Sequence, residues 1–255
     1  MRCHIAFLGI DGSGKSTLAA ALATSLRHQG ERVQQVSLKG YLRADSGVPL
    51  LRTLCHATIQ AAYAGARTPD GEPALALVPA GIVDPDEALR SIPVASNDPA
   101  SILAAGLLGL SAELLLHRLV VAPALARGEV LVQDGHGLKN AVKAGLIAEA
   151  AGGDVTRFLS YANDTVPQPT LGVFVRSDPA LASQRRLAQH GSAGFSEHLG
   201  LAGQSPDTFT SFQRRAQRMY ATMARDRGWL TVDMGDRPAE ENIQTALSLI
   251  GKELT

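Results

Sequence analysis

The sequence predicts a three-layer α/β/α domain, with helices covering both faces of a parallel sheet, and three observations carry that expectation. The apolar run Ile5–Leu8 feeds a glycine-rich turn, Gly9–Ser16, that opens directly into a helical pattern. Further short apolar runs recur along the chain, separated by segments of helical period, which is the alternation that builds parallel sheets. The chain has 255 residues and 45% hydrophobic content, enough to bury a full core. One domain, 1–255, is expected.

Ile5-Ala6-Phe7-Leu8 reads as the first strand. Leu18, Leu22 and Leu26 recur at four-residue spacing behind it, and Gly30 stops that helix. Arg32 to Leu38 reads as a second strand, ending at Lys39-Gly40-Tyr41. From 42 to 100 the pattern is broken by prolines, with only Leu50 to Ala64 helical, so this stretch is read as an insertion at the mouth of the sheet. The apolar helix Ile102 to Val121 follows and closes near Pro123 to Arg127, with Gly128 as its cap.

Val130 to Asp134 is the third strand, and Gly135-His136-Gly137 turns out of it into a helix over Lys139 to Ala150. Leu171 to Val175 is the fourth. Asp178-Pro179 then starts a helix carrying Arg185, Arg186 and His190, which Gly191 to Gly194 breaks. Phe209, Phe212, Ala216, Met219, Tyr220 and Met223 mark an amphipathic helix. Trp229 to Asp233 is the fifth strand, and a terminal helix begins near Asp236 and Pro238.

Composition narrows the function classes. Lys and Arg number 24 against 24 Asp and Glu, so nothing suggests a basic nucleic-acid face. Cys3 and Cys55 are the only cysteines, with no metal-ligand spacing, and a reducing cytoplasm is the expected compartment. The N-terminal apolar run is too short for a signal peptide. The Ile102 to Val121 stretch approaches membrane-spanning length, but Glu113, His117 and Arg118 fall inside it. Each charge near a bilayer centre costs about 2.5 to 3.5 kcal/mol, so no membrane is expected and the stretch reads as a core helix.

Gly9-Ile10-Asp11-Gly12-Ser13-Gly14-Lys15-Ser16 is a complete match to G-x-x-x-x-G-K-S/T in the strand–turn–helix context its mechanism needs. Glycines let successive backbone N–H groups face one concavity at the positive end of a helix, where phosphate oxygens can sit. Gly9, Asp11, Gly12, Ser13, Gly14, Lys15, Ser16 and Thr17 are therefore the expected nucleotide-binding residues. Lys15 would reach the β- and γ-phosphates, and the Ser16 hydroxyl would ligate Mg²⁺. A bare glycine turn is the alternative.

The chain resembles the thymidylate kinase family of P-loop phosphotransferases. The likeness is carried by Phe7 to Thr17, Ala112 to Leu116, Pro123 to Val130, Gln133-Asp134, Pro169 to Pro179, Arg185-Arg186 and Phe212 to Ala224, and it is most specific at its start. It implies a P-loop kinase fold with a helical lid, here about 185–207, and the use of ATP and Mg²⁺ on a small-molecule acceptor. A homodimer through the apolar helix is also implied. Asp11 matches a residue that contacts the acceptor's sugar hydroxyl, with a turn-forming Asp as the alternative. Asp134, at a strand end facing the ligand crevice, matches a carboxylate that organises Mg²⁺ and acceptor. Arg185 and Arg186 match lid cations that stabilise transition-state charge, with a solvated helix face as the alternative.

The departures lie on the acceptor side. Gly135 stands where the family follows its strand-ending Asp with an acceptor-binding Arg, Lys39 to Arg43 replaces an Arg-Glu-Pro segment, and Thr170 replaces an Asp. Lys39, Arg43, His136 and Lys139 are candidate replacements, each equally readable as a plain surface or structural residue. The expected function is an ATP- and Mg²⁺-dependent kinase whose acceptor is nucleotide-like in shape but need not be dTMP. Genuine thymidylate kinase activity is the nearest alternative, and a nucleotide-switched binding module or NTPase the more distant one.

Overall fold

The computed structural model describes residues 2–43, 48–78, 89, 92–190, 197–198 and 205–254. Its centre is a five-stranded, all-parallel sheet of β1 (Cys3–Gly9), β2 (Val33–Val36), β3 (Val130–Gln133), β4 (Leu171–Arg176) and β5 (Leu230–Asp233), in the order β2-β3-β1-β4-β5. β1 is hydrogen-bonded on both sides, Ile5 standing opposite Val132 of β3 and Leu171 of β4, and all seven of its residues are buried. Strands covered on both faces read as continuous apolar runs rather than alternating ones, which is why Ile5 to Leu8 is legible as a strand. The sheet reverses its winding direction beside β1. Ligands of open parallel sheets bind at such switch points, outside the C-terminal ends of the strands.

The helices are α1 (Lys15–His28), α2 (Gly40–Arg43), α3 (Pro49–Ala64), α4 (Pro99–Leu116), α5 (Ala122–Ala126), α6 (Leu138–Ala150), α7 (Thr156–Thr165), α8 (Pro179–His190), α9 (Pro206–Asp226) and α10 (Ala239–Glu253). Leu18, Leu22 and Leu26 of α1 and Ala246 and Ile250 of α10 cover one sheet face through Phe7, Val132 and Val173. The opposite face, through Leu8 and Phe174, meets Leu138 and Val142 of α6 and Phe212, Ala216 and Tyr220 of α9. Ser205 caps α9 reciprocally with Thr208, which fixes where this 21-residue helix starts.

α4 starts at Pro99, with the Asp98 carboxylate accepting from the N–H groups of Ala100 and Ser101. It runs through a π-helical turn, His117–Val121, into α5. The segment Pro99–Ala126 is long and apolar enough to cross a membrane, but here it packs between α3 and α6 as a core helix. The inserted stretch joins the same core: Tyr63, Ala66, Ala74 and Val94 are buried with Ile102 and Leu110 of α4. The proline-broken pattern conceals two antiparallel bridges, from Arg67 to Pro73 and to Ser96, and a 3₁₀ turn over Ala74–Leu77. It also gives no sign of α2, and α7 lies in a stretch to which the sequence reading assigned nothing.

Candidate active site

The glycine turn joins β1 to α1 as expected, and the reason for each glycine is visible. Gly12 and Gly14 hold φ of +76° and +86°, a region L side chains rarely enter. A Cβ on Gly12 would stand 2.3 Å from the Ala182 carbonyl oxygen of α8, and one on Gly9 would stand 2.6 Å from that of Val175 in β4. α1 begins at Lys15 without a side-chain cap, so its first N–H groups and positive dipole end are open to an anion.

Lys15 folds back over its own loop, its Nζ donating to the Ile10 carbonyl at 3.1 Å. Burial, then the nearby Lys139 charge, bring its pKa down to about 7, against the opposing pull of Asp11 and Asp134. A phosphate beside the ammonium would reverse that depression. Asp134 follows β3 and is held by its own N–H donating to the Val36 carbonyl at 2.8 Å. Ser16 and Asp134 both line a cleft of about 790 Å³ along the C-terminal edge of the sheet. A hydroxyl and a carboxylate are hard oxygen donors suited to Mg²⁺, which characteristically takes one or two protein ligands and fills the rest from water and phosphates. Among the described residues no cluster of three His, Cys, Asp or Glu offers an all-protein metal cage.

Asp11, in the same loop as Ser16, is 7% exposed, and two cations meet it. Lys139 Nζ donates to Oδ1 at 2.7 Å and Lys143 Nζ to Oδ2 at 2.9 Å, while Gln213 of α9 accepts from the Asp11 N–H at 3.1 Å. Burial would raise the Asp11 pKa, but Lys139, Lys143 and Lys15 hold it well below the usual carboxylate range. Burial depresses both lysines too; for Lys139 the Asp11 carboxylate outweighs it and the pKa ends up raised, whereas for Lys143 it ends up lowered. Lys139 and Lys143 are one helical turn apart on α6, on the face that also presents Asn140, Ala144 and Ile147 to the cleft. Lys139 is among the residues expected from the sequence, and Lys143, one turn further along α6, is not.

Arg185 and Arg186 of α8 also line the cleft. Arg185 donates to the Gly235 carbonyl at 2.8 Å, and Arg186 pairs with Glu197, its Nε donating at 3.0 Å. The segments 191–196 and 199–204 of the expected lid lie outside the described residues. Lys39 lines the cleft, whereas the Arg43 side chain lies outside what the structure describes.

His136 stands elsewhere, and its expected place in the acceptor site is corrected. It is 1% exposed and outside the cleft wall, its Nε2 3.1 Å from the Pro167 carbonyl and its ring packed edge-on against Trp229 at 5.0 Å. Burial lowers its pKa to about 3, so it is neutral throughout the physiological range. The structural alternative for this residue is the one the fold realises.

Gly135 has φ +88°, so the residue after Asp134 turns in a left-handed conformation that would strain an arginine. A buried polar chain supports that turn from behind. His4 Nε2 meets Gln133 Oε1 at 2.9 Å, and Gln133 Nε2 donates to Glu113 Oε1 at 2.7 Å and to the Gly135 carbonyl at 3.2 Å. Burial raises the Glu113 carboxyl to about 7. A Cβ on Gly137 would stand 2.4 Å from Glu113 Cγ, which explains the second glycine of the turn.

The fold is a parallel α/β sheet consistent with a P-loop kinase, and its glycine loop and the lysine-bearing α6 line a single cleft and meet at Asp11. No family model matches the chain. It is 25% identical over 120 residues to a probable thymidylate kinase of Pyrobaculum aerophilum, covering 47% of this chain and 54% of that one. It is 25% identical over 134 residues to a probable thymidylate kinase of Pyrobaculum calidifontis, covering 52% and 60%. The chain thus spans little more than half the length of these curated relatives. The relationship is thymidylate kinase-like.

Proposed function

We propose that this protein transfers the γ-phosphoryl group of ATP to a small anionic acceptor held against Lys139 and Lys143. The observation that carries the reading is that the Gly9–Ser16 loop, Asp134 and the Asp11–Lys139–Lys143 cluster line one cleft. The loop amides and Lys15 hold the donor phosphates, and the lysine ammonium groups of α6, anchored on Asp11 of the same loop, hold the acceptor close, so that two polyanions meet in a geometry solution would disfavour. Ser16 and Asp134 hold Mg²⁺, which supplies charge neutralisation at the transferring phosphoryl group. Arg185 and Arg186 add positive charge from the α8 side.

A second reading, thymidylate kinase itself, is favoured by the names of the two relatives and by the paired lysines, which offer an acceptor phosphate charge where the family's arginine is missing. Single-turnover transfer from labelled ATP to a panel of nucleosides, nucleotides and small alkyl phosphates tests both. The kinase reading expects phosphorylated acceptor and ADP in equal amounts. Acceptor-independent hydrolysis with stable association to another protein would replace it by a nucleotide-switched module.

A further inference from the structure

Beyond the lysine pair the cleft changes character. It continues between α3, α4 and α6, where Ile59, Ala62, Ile102, Ala105, Ala144 and Ile147 form its walls. The donors in these walls are taken up by the protein: Thr58 Oγ1 donates to the Leu54 carbonyl at 2.8 Å and Cys55 Sγ to that of Leu38 at 3.4 Å, which leaves Thr58 only able to accept. Tyr63 is the one aromatic lining residue among those described, and at 3% exposure it offers no open ring face for stacking. That leaves the Asn140 amide, beside the lysines. A nucleobase needs several directed partners, because each of its polar edge atoms left unpaired in a dry wall costs about 1 to 3 kcal/mol. An aliphatic chain needs none.

The helix between the walls is thin where the chamber runs: Ala105, Gly106, Gly109 and Ala112 all line it. Gly106 is required by packing, since a Cβ there would stand 2.5 Å from the Phe158 ring. Gly109 is not, since its Cβ would meet only ordinary contacts at 3.7 Å and 4.0 Å, with Thr58 and Asn140. Space is therefore left at Gly109 that neither backbone conformation nor helix packing demands.

We propose that the inner chamber receives an aliphatic chain, and that the acceptor is an alkyl or prenyl monophosphate whose phosphate sits on Lys139 and Lys143. This rests on the phosphoryl-transfer reading and gives its acceptor a class. Each ammonium has three donors and spends one on Asp11, so both retain hydrogens for a phosphate. In the step, an acceptor phosphate oxygen forms a bond to the γ-phosphorus of ATP. The bond from that phosphorus to the β,γ-bridging oxygen breaks, and its electron pair leaves on ADP. The product is an alkyl diphosphate, and any proton on the acceptor phosphate goes to water.

The test is calorimetric binding of butyl, hexyl and octyl monophosphate and of dTMP, with and without a non-hydrolysable ATP analogue, followed by transfer assays with ATP. Affinity is expected to rise about three- to fourfold per added CH₂, the equivalent of about 0.8 kcal/mol, and octyl phosphate is expected to bind at least tenfold tighter than dTMP. Gly109→Leu should flatten the chain-length series while ATP-analogue affinity and Tm stay unchanged. Ala144→Leu provides the same reading should Gly109→Leu fail to fold. Lys143→Gln should weaken every alkyl phosphate equally and leave the slope intact. A flat series in the unaltered protein, or dTMP binding tighter than octyl phosphate, overturns the chamber assignment. A steep series with no ADP or alkyl diphosphate formed overturns the phosphoryl-transfer reading instead.

Discussion

The two walls of the cleft are built by different means. The donor wall is a continuous stretch of chain, Gly9–Ser16, that works through its backbone: its glycines are set by φ and by approaches of 2.3 Å and 2.6 Å to neighbouring carbonyls. The wall proposed for the acceptor is assembled from side chains of α3, α4 and α6, whose Lys139 and Lys143 reach Asp11 of the loop across 128 and 132 residues. A backbone site admits few sequences and so announces itself. A side-chain site keeps its scaffold while its chemistry changes, and only folding shows which residues meet.

The largest effect expected from breaking this pair of walls is on the donor side. Lys15→Ala should lower single-turnover transfer by about 10² to 10³, the range for losing one preorganised stabilising group. The same substitution should raise the Tm of the ligand-free protein, because it removes a buried ammonium whose pKa has been pushed down to about 7. A rate within tenfold of the unaltered protein would sink the donor assignment.

On the acceptor side, Asp11→Ala should destabilise the fold by about 2 to 3 kcal/mol, read by chemical denaturation. The cost falls short of the 3 to 5 kcal/mol typical of a sealed interior, because the side chains of Lys139 and Lys143 keep 18% and 12% exposure. Pairing it with Lys143→Met should recover part of the loss. If the double variant is no more stable than Asp11→Ala, the cluster is not the electrostatic unit described.

Glu113→Gln separates the supporting chain from both walls. A carboxyl whose pKa rises from 4.5 to about 7 on folding binds more protons in the folded state, so stability falls as pH climbs between those values and is level above. Gln lacks that penalty. Its Tm relative to the unaltered protein should therefore increase from pH 5 to pH 8, by an amount corresponding to at most about 3 kcal/mol. An unchanged difference across that window would mean that Glu113 is not buried as an acid.

Affinity for ATP should respond more gently. Lys15 is protonated below pH 7 and must take up a proton above it to meet a phosphate, so affinity should be constant up to about 7 and then fall by no more than tenfold per pH unit. Calorimetry in buffers of different ionisation enthalpy should show proton uptake at pH 8 and little at pH 6. The smallest effect is expected at His136, neutral down to about pH 3: His136→Gln should lower Tm while leaving transfer within about threefold and its pH profile unmoved.

Much of the sheet was legible because β1, β3 and β4 are buried on both faces and read as unbroken apolar runs. α7 was not, because its inward face is carried by few residues, only Ala162 being buried. In the site, the Gly9–Ser16 turn between strand and helix could be read from residue spacing alone. Lys143 could not be singled out without knowing that α6 turns that face to the cleft, and His136 stood among the acceptor-side candidates only while its burial against Trp229 was hidden. Gln213 meets Asp11 across 202 residues, a separation no local pattern spans.

The left-handed turn at Gly135 also bears on how this chain and arginine-bearing relatives can be interconverted. Placing an arginine there in one step would force a residue with a Cβ into a backbone region costing about 1 to 3 kcal/mol before any phosphate was gained. A viable path has to rebuild the turn first, through Gln133, Glu113 and Gly137, and change the side chain afterwards. While that turn persists, single substitutions can change cleft charge from α6, where Lys139 and Lys143 stand, without disturbing the strand end.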